Sequence, residues 1–187
     1  MDVFGVFTAF GLSASAGLNA YIPLLVVALL GKFTDLIHLE EPWSALTSWW
    51  IIGLLVVLSL VEFFADKIPA VNHVNDVIQT FIRPTAGAIA FAASANVISD
   101  VHPVLALGFG LFIAGSVHAA KSLAVRPAVT ATTGGAGNVP VSIAEDVISS
   151  LLSILSVVVP VVVGCVLVLA TAWIVWRLYR RSRRQTI

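Results

Sequence analysis

The stretch "WWIIGLLVVLSLVEFFADKIPAVNHVNDVIQTFIRP", Trp49 to Pro84, decides the fold class. Between Trp49 and Ala65 the only polar side chains are Ser59 and Glu62. The run is continuous and does not alternate with period two, so it reads as helix and not strand. At 1.5 Å per residue it covers about 25 Å, close to the roughly 30 Å hydrocarbon core of a bilayer. Ionisable groups then gather: Glu62, Asp66, Lys67, His73, Asp76 and Arg83. The question is whether this charge marks a site or only the end of a helix.

Composition extends the reading to the whole chain. Of 187 residues, 59% are hydrophobic and 11% charged, with a mean hydropathy of +1.02. Soluble domains carry roughly 25% charged residues, so the expectation is an integral membrane protein built as one helical bundle without a separate soluble domain. Net charge is zero, yet five of the ten basic residues sit at Arg177, Arg180, Arg181, Arg183 and Arg184. Residues 177–187 read as a basic cytoplasmic tail by the positive-inside rule, with no nucleic-acid partner expected. The single cysteine, Cys165, lies in an apolar run and allows no intramolecular disulfide. The N-terminal segment lacks a basic n-region and reads as a mature membrane helix, not a signal peptide.

Along the chain, a first helix is expected over Val3–Leu30, with Ala9, Ser13 and Gly17 making a small-residue face for close packing. Trp43, Trp49 and Trp50 suit an interfacial belt. A second helix is expected over Trp49–Ala65, a third ending near Ser99 and a fourth over Val104–Ala120. The stretch "KSLAVRPAVTATTGGAGNVPVS" is the least lipid-like of the interior. The final apolar run, Ile143 to Trp176, is about 50 Å long as one helix. It reads as a helix kinked at Pro160, as a half-immersed segment plus a span, or as two short crossings; the kinked or two-part helix is preferred because "VVVPVVV" lacks turn residues. Five crossings with a cytoplasmic tail put Lys67, Lys121 and Arg126 outside, whereas six put them inside, as the rule prefers.

Two segments resemble each other. "VNDVIQTFI" (Val74–Ile82) matches "AEDVISSLL" (Ala144–Leu152), and "ADKIPAV" (Ala65–Val71) sits opposite "AAKSLAV" (Ala119–Val125). A twofold repeat with units at about 49–99 and 104–176 is therefore a candidate. Many transporters place their substrate site between repeated halves, at broken helices.

The candidate ion- or solute-binding residues are Glu62, Asp66, Lys67, Asp76, His118, Lys121, Arg126, Glu145 and Asp146. An acid inside a span is costly and calls for a partner; Lys67, Lys121 and Arg126 are the partners expected for Glu62 and Asp66. Asn72, Asp76, Gln79 and Arg83 share one helical face, which fits a surface-lying amphipathic helix, the preferred reading, or a helix lining a polar cavity. Ser142 and Glu145 fit a capping box at a helix start. Ser149, Ser153 and Ser156 stripe one face, for packing or for a path. No nucleophile–base–acid set assembles, so no catalytic residue is assigned. The spacing matches no metal motif, and no metal or cofactor is expected.

"GLNAYIPLL" (Gly17–Leu25), "EFFADKIPAVNHVNDVIQTFIRPTAGAI" (Glu62–Ile89) and "NVPVSIAEDVIS" (Asn138–Ser149) together resemble the bacterial membrane family catalogued as domain of unknown function 4126. The resemblance implies a small polytopic membrane protein and supplies no catalytic residues, because the family carries no assigned activity. The expected fold is an all-α transmembrane bundle of five or six membrane segments with broken or kinked helices, placed in the bacterial inner membrane. The expected function is transport of a small ion or polar solute. The alternative is a non-transporting scaffold or partner-binding protein. The bilayer and a second copy of the chain are the other expected partners.

Overall fold

The computed structural model describes residues 3–95 and 102–184, and within these all side chains except those of 3, 69–74, 76, 95, 174, 178–179 and 181–184. The helices are α1 (Val3–Leu18), α2 (Tyr21–Phe33), α3 (Trp49–Ala65), α4 (Pro69–Ala95), α5 (Pro103–Ala120), α6 (Arg126–Thr133), α7 (Asn138–Val158) and α8 (Pro160–Arg184). A short 3-10 turn at Trp43–Thr47 precedes α3, and a π turn at Lys121–Val125 joins α5 to α6 without a break. The described residues are all-helical, as the continuous apolar runs require. Among the described residues, three helices are long and apolar enough to cross a membrane: Pro103–Thr133, Asn138–Val158 and Pro160–Arg177.

The expected first helix, Val3–Leu30, is two helices that reverse at Asn19–Ala20. Asn19 Oδ1 accepts the N–H groups of Tyr21 and Ile22, both at 3.1 Å, and so satisfies donors that the start of α2 leaves open. Leu36 and Ile37, beyond the end of α2, line a small cavity with Phe4, Gly5 and Thr8. α2 therefore returns toward the start of α1.

The final apolar run also reverses. Val159 leaves helical geometry (φ −136, ψ 60), and Pro160 opens α8, where a missing N–H has no partner to lose. α7 runs antiparallel to α1: Ser15 meets Ser149 and Ser153, and Thr8 meets the Ser156 carbonyl. α8 runs parallel to α1, since Gly164 abuts the Phe7 ring and Leu167 and Thr171 share a groove with Phe10 and Ala14. The preferred kinked helix is thus replaced by a hairpin. Valines flank its turn, and proline alone supplies the break.

These reversals sort the charges. Trp43 and Trp49 lie with Lys32 and the start of α1 at one end, the tryptophan end. Lys121 donates to the Leu18 carbonyl at the other, basic end. Arg177 lies about 9 Å beyond Thr171 along α8, so the arginine-rich segment begins at the basic end too. Lys67, Lys121 and Arg126 therefore lie at the end where the arginine-rich segment begins.

The centre is packed through small residues. A Cβ on Gly110 would clash with the Gly87 carbonyl oxygen, and one on Gly17 would lie 2.6 Å from that of Ala114. Ser13, on the face predicted for close approach, donates to the Gly87 carbonyl at 2.8 Å. α1, α4 and α5 therefore touch backbone to backbone.

Candidate functional site

α4 settles the reading of the charged stretch. Arg83 and Gln79 are 0% and 2% exposed, while Val77 and Phe81 on the opposite face are 65% and 74% exposed. Gln79 and Arg83 point inward. The surface-lying amphipathic helix, which would wet that face, is overturned.

Arg83 anchors a buried ionic network at the basic end. Its Nε and Nη2 both donate to Glu62 Oε1, at 3.2 and 2.8 Å. Glu62 is the acid of α3, 1% exposed; its Oε2 accepts the Ala20 N–H at 3.3 Å, at the tip of the α1–α2 reversal. Arg83 Nη1 also donates to His118 Nδ1 at 3.4 Å, and the other ring nitrogen of His118 meets Thr80 Oγ1 at 3.3 Å. Guanidinium only donates, so Nδ1 is the acceptor in this contact.

Asp66 occupies the turn between α3 and α4. Its Oδ1 accepts from Asn75 Nδ2 at 2.7 Å. Its Oδ2 faces Arg126 Nη2 at 3.1 Å and Arg83 Nη2 at 3.7 Å, and accepts from Ser142 Oγ at 3.4 Å. Burial raises its carboxyl pKa, but Lys121, Arg126 and Arg83 outweigh that and hold it below the ordinary carboxylate value. Glu145 of α7 completes the network: its Oε2 pairs with Lys121 Nζ at 2.7 Å and Arg126 Nη2 at 3.4 Å. A second pair joins Lys67 Nζ to Asp146 Oδ2 at 3.4 Å, and Asp146 Oδ1 accepts from Asn19 Nδ2 at 3.0 Å.

Of the residues picked from the sequence, Glu62, Asp66, His118, Lys121, Arg126 and Glu145 come together, and Lys67 and Asp146 form the neighbouring pair. Asp76 lies on α4, and its side chain falls outside the described residues. His73 also falls outside them. Of the partners expected for Glu62 and Asp66, only Arg126 pairs with one of them, Asp66; Lys67 pairs with Asp146, Lys121 with Glu145, and Glu62 is held by Arg83. Asn19, Asn75 and Ser142 were missed as partners. Ser142 is not a cap, because α7 starts a turn earlier at Asn138. The fourth helix, expected to end at Ala120, continues through the π turn and α6 to Thr133. The signal for Arg83 was its spacing of four from Gln79 beside a buried acid, since guanidinium matches a carboxylate with two donors.

The serine stripe of α7 packs. Ser15 Oγ meets Ser149 Oγ at 2.8 Å and Ser153 Oγ at 2.6 Å. Among the described residues no group of three or more His, Cys, Asp or Glu is placed to hold a metal ion.

This arrangement, small helices closed over paired charges, is that of an all-α protein whose apolar helices are compatible with a membrane. The chain matches the family described as Domain of unknown function (DUF4126) over residues 6–181, and it belongs to that family. Comparison with curated proteins and with solved structures gives no match.

Proposed function

We propose that the protein is a transporter or channel for a small ion or polar solute, with the network around Arg83 as its working site. The observation that carries this is burial of charge: Glu62, Asp66, Arg83, Lys121 and Arg126, from several elements, meet within one ionic network beside an outward apolar surface. Ionisable groups at membrane depth are costly and mark ion pathways and proton relays. In this reading the chain sits in the bacterial inner membrane. Its basic end, with the arginine tail, faces the cytoplasm, as the positive-inside rule favours. No catalytic role is assigned.

Flux into proteoliposomes tests the proposal. The double variant Glu62→Gln/Asp66→Asn, if monodisperse, is expected to fall to the protein-free background. Unchanged flux removes these acids from the mechanism. One observation favours a second reading, a non-transporting scaffold: each carboxylate of the network already has a cationic partner, as in a structural clamp. That reading expects no flux in the wild type for any small ion or solute tried.

A further inference from the structure

α3 and α4 close on each other where Arg83 meets Glu62 at 2.8 Å. Toward the tryptophan end they part around an apolar cleft of about 310 Å³, backed by α2. Leu24, Leu55 and Ala86 are buried in its walls, while Phe81 and Thr85 stand exposed at its mouth. The cleft therefore opens on the outward apolar surface. Small-molecule pockets have this character: about 300–1,000 Å³, mostly apolar, with a few polar groups that fix orientation.

The polar groups lie at the basic end of the cleft. Among the described residues, two buried side-chain atoms have no hydrogen-bond partner, Ser59 Oγ and Gln79 Oε1. Ser59 lies one turn beyond Leu55 on the same side of α3, and Gln79 one turn before Ile82 on the same side of α4. Leu55 and Ile82 both line the cleft, and each step leads toward the basic end. Tyr21, at the start of α2, also lines the cleft, and its hydroxyl shares a hydrogen bond with Gln79. Because Oε1 has no partner, the Gln79 N–H donates that bond. With the carboxamide turned over, an N–H is left unmatched instead. Buried polar atoms without partners are few in folded proteins, and each calls for an explanation.

We infer that the cleft between α3 and α4 binds a small neutral amphipathic alcohol or phenol, its apolar body in the cleft and its hydroxyl toward Tyr21, Ser59 and Gln79. A hydroxyl both donates and accepts, so it answers Gln79 in either orientation of the carboxamide and Ser59 as donor or acceptor. A charged head is not suited. The charges that act on the Tyr21 hydroxyl, Glu62 and Arg83, are paired with each other, and Glu62 Oε2 accepts the Ala20 N–H. Such a head would find no counter-ion. Gln79 Oε1 is shielded, so the ligand reaches it as the half-buried Tyr21 side chain shifts. The ligand enters sideways, from the apolar surroundings of the helices. This site goes beyond the transport reading and does not rest on it.

Photolabelling of the full chain in nanodiscs tests it. The probe is an octanol carrying an alkyl diazirine, and adducts are located by peptide mass spectrometry. Saturable labelling is expected at Leu55 and within residues 81–86. Para-hexylphenol and hexylbenzene, which differ by one hydroxyl, then compete at equal concentrations in the bilayer. The phenol is expected to protect about tenfold more strongly. Equal protection by the two means that the cleft takes any hydrocarbon and that Gln79 is served by water, and it overturns the inference. Absence of saturable labelling at these positions overturns it too. Thr85→Trp fills the mouth from an exposed position and is expected to abolish the protectable labelling; full labelling in this variant overturns the site. Gln79→Leu is expected to erase the advantage of the phenol while hexylbenzene competes as before, and an undiminished advantage removes Gln79 from the site and overturns the inference. If Gln79→Leu does not fold, the comparison of phenol and hydrocarbon on the wild type decides. Flux through the protein enters none of these readouts, so the transport reading and this inference fail separately.

Discussion

α4 and α7 solve one problem in two ways. Both bury a polar face and turn valine, isoleucine, leucine or phenylalanine outward: Val77, Ile78 and Phe81 on α4, Val147, Ile148 and Leu151 on α7. α4 buries the guanidinium of Arg83, whose partners come from α3, the following turn and α5. Below Glu145, α7 buries hydroxyls whose partners are mostly carbonyls one turn back or Ser15 of α1. A charge needs carboxylates from distant parts of the chain. A serine finds an acceptor on its own helix, and its small size lets a neighbour approach. The paired segments "VNDVIQTFI" and "AEDVISSLL" thus share inverted amphipathicity, but one builds an ionic junction and the other a close-packed seam.

The comparison breaks most directly at Arg83. Arg83→Ala leaves Glu62 buried without its guanidinium, and the expected loss is about 3–5 kcal/mol. Unfolding of the reconstituted protein measures it, and adding Glu62→Gln is expected to recover a large part. Equal stability of Arg83→Ala and wild type would make the ionic junction no different from the seam. The next largest effect is steric. Ser153→Leu forces bulk between α1 and α7 and is expected to cost about 1–3 kcal/mol. Ser153→Ala, which removes the hydroxyl and keeps the approach, is expected to cost about 0.6 kcal/mol; a cost like that of Arg83→Ala would erase the distinction between charge and hydroxyl.

The pH-dependent prediction belongs to Asp66. Its pKa is held down in the folded chain, so its contribution is full above the ordinary carboxylate value of about 3.9. The contribution is lost as pH falls through the depressed folded value. Acid melting curves of wild type and Asp66→Asn are expected to converge in that range, while Ser153→Ala keeps a constant offset from wild type. Parallel curves for Asp66→Asn and wild type would detach Asp66 from the junction.

Much of this was legible. Trp49–Ala65 is the expected second helix, residue for residue, because a continuous apolar run bounded by Ser48 and Asp66 has clear ends. Glu62 was readable as an acid in need of a partner, and Lys121, Arg126 and Glu145 as members of a charged set. The reversal at Asn19 is absent from that reading and the one at Pro160 is only one of three alternatives in it, because hydrophobic periodicity measures faces and not direction. Their signals were present locally: Asn19 before α2 as a cap, and Pro160 as the first residue of α8. The π turn was not legible, since a five-residue turn differs from an α-helical one only in which neighbours it brings together.

The sequence by itself determined the helical class, which residues share an apolar or a polar face and the need to pair a buried charge, since these follow from composition and from the 3.6-residue repeat. Only the tertiary structure decided that Arg83 holds Glu62, that Arg126 bridges Asp66 and Glu145, and that Lys67, Lys121 and Arg126 share one end. Pairing a charge depends on where distant helices reverse and cross, and that geometry belongs to the packed chain and to no single segment of it.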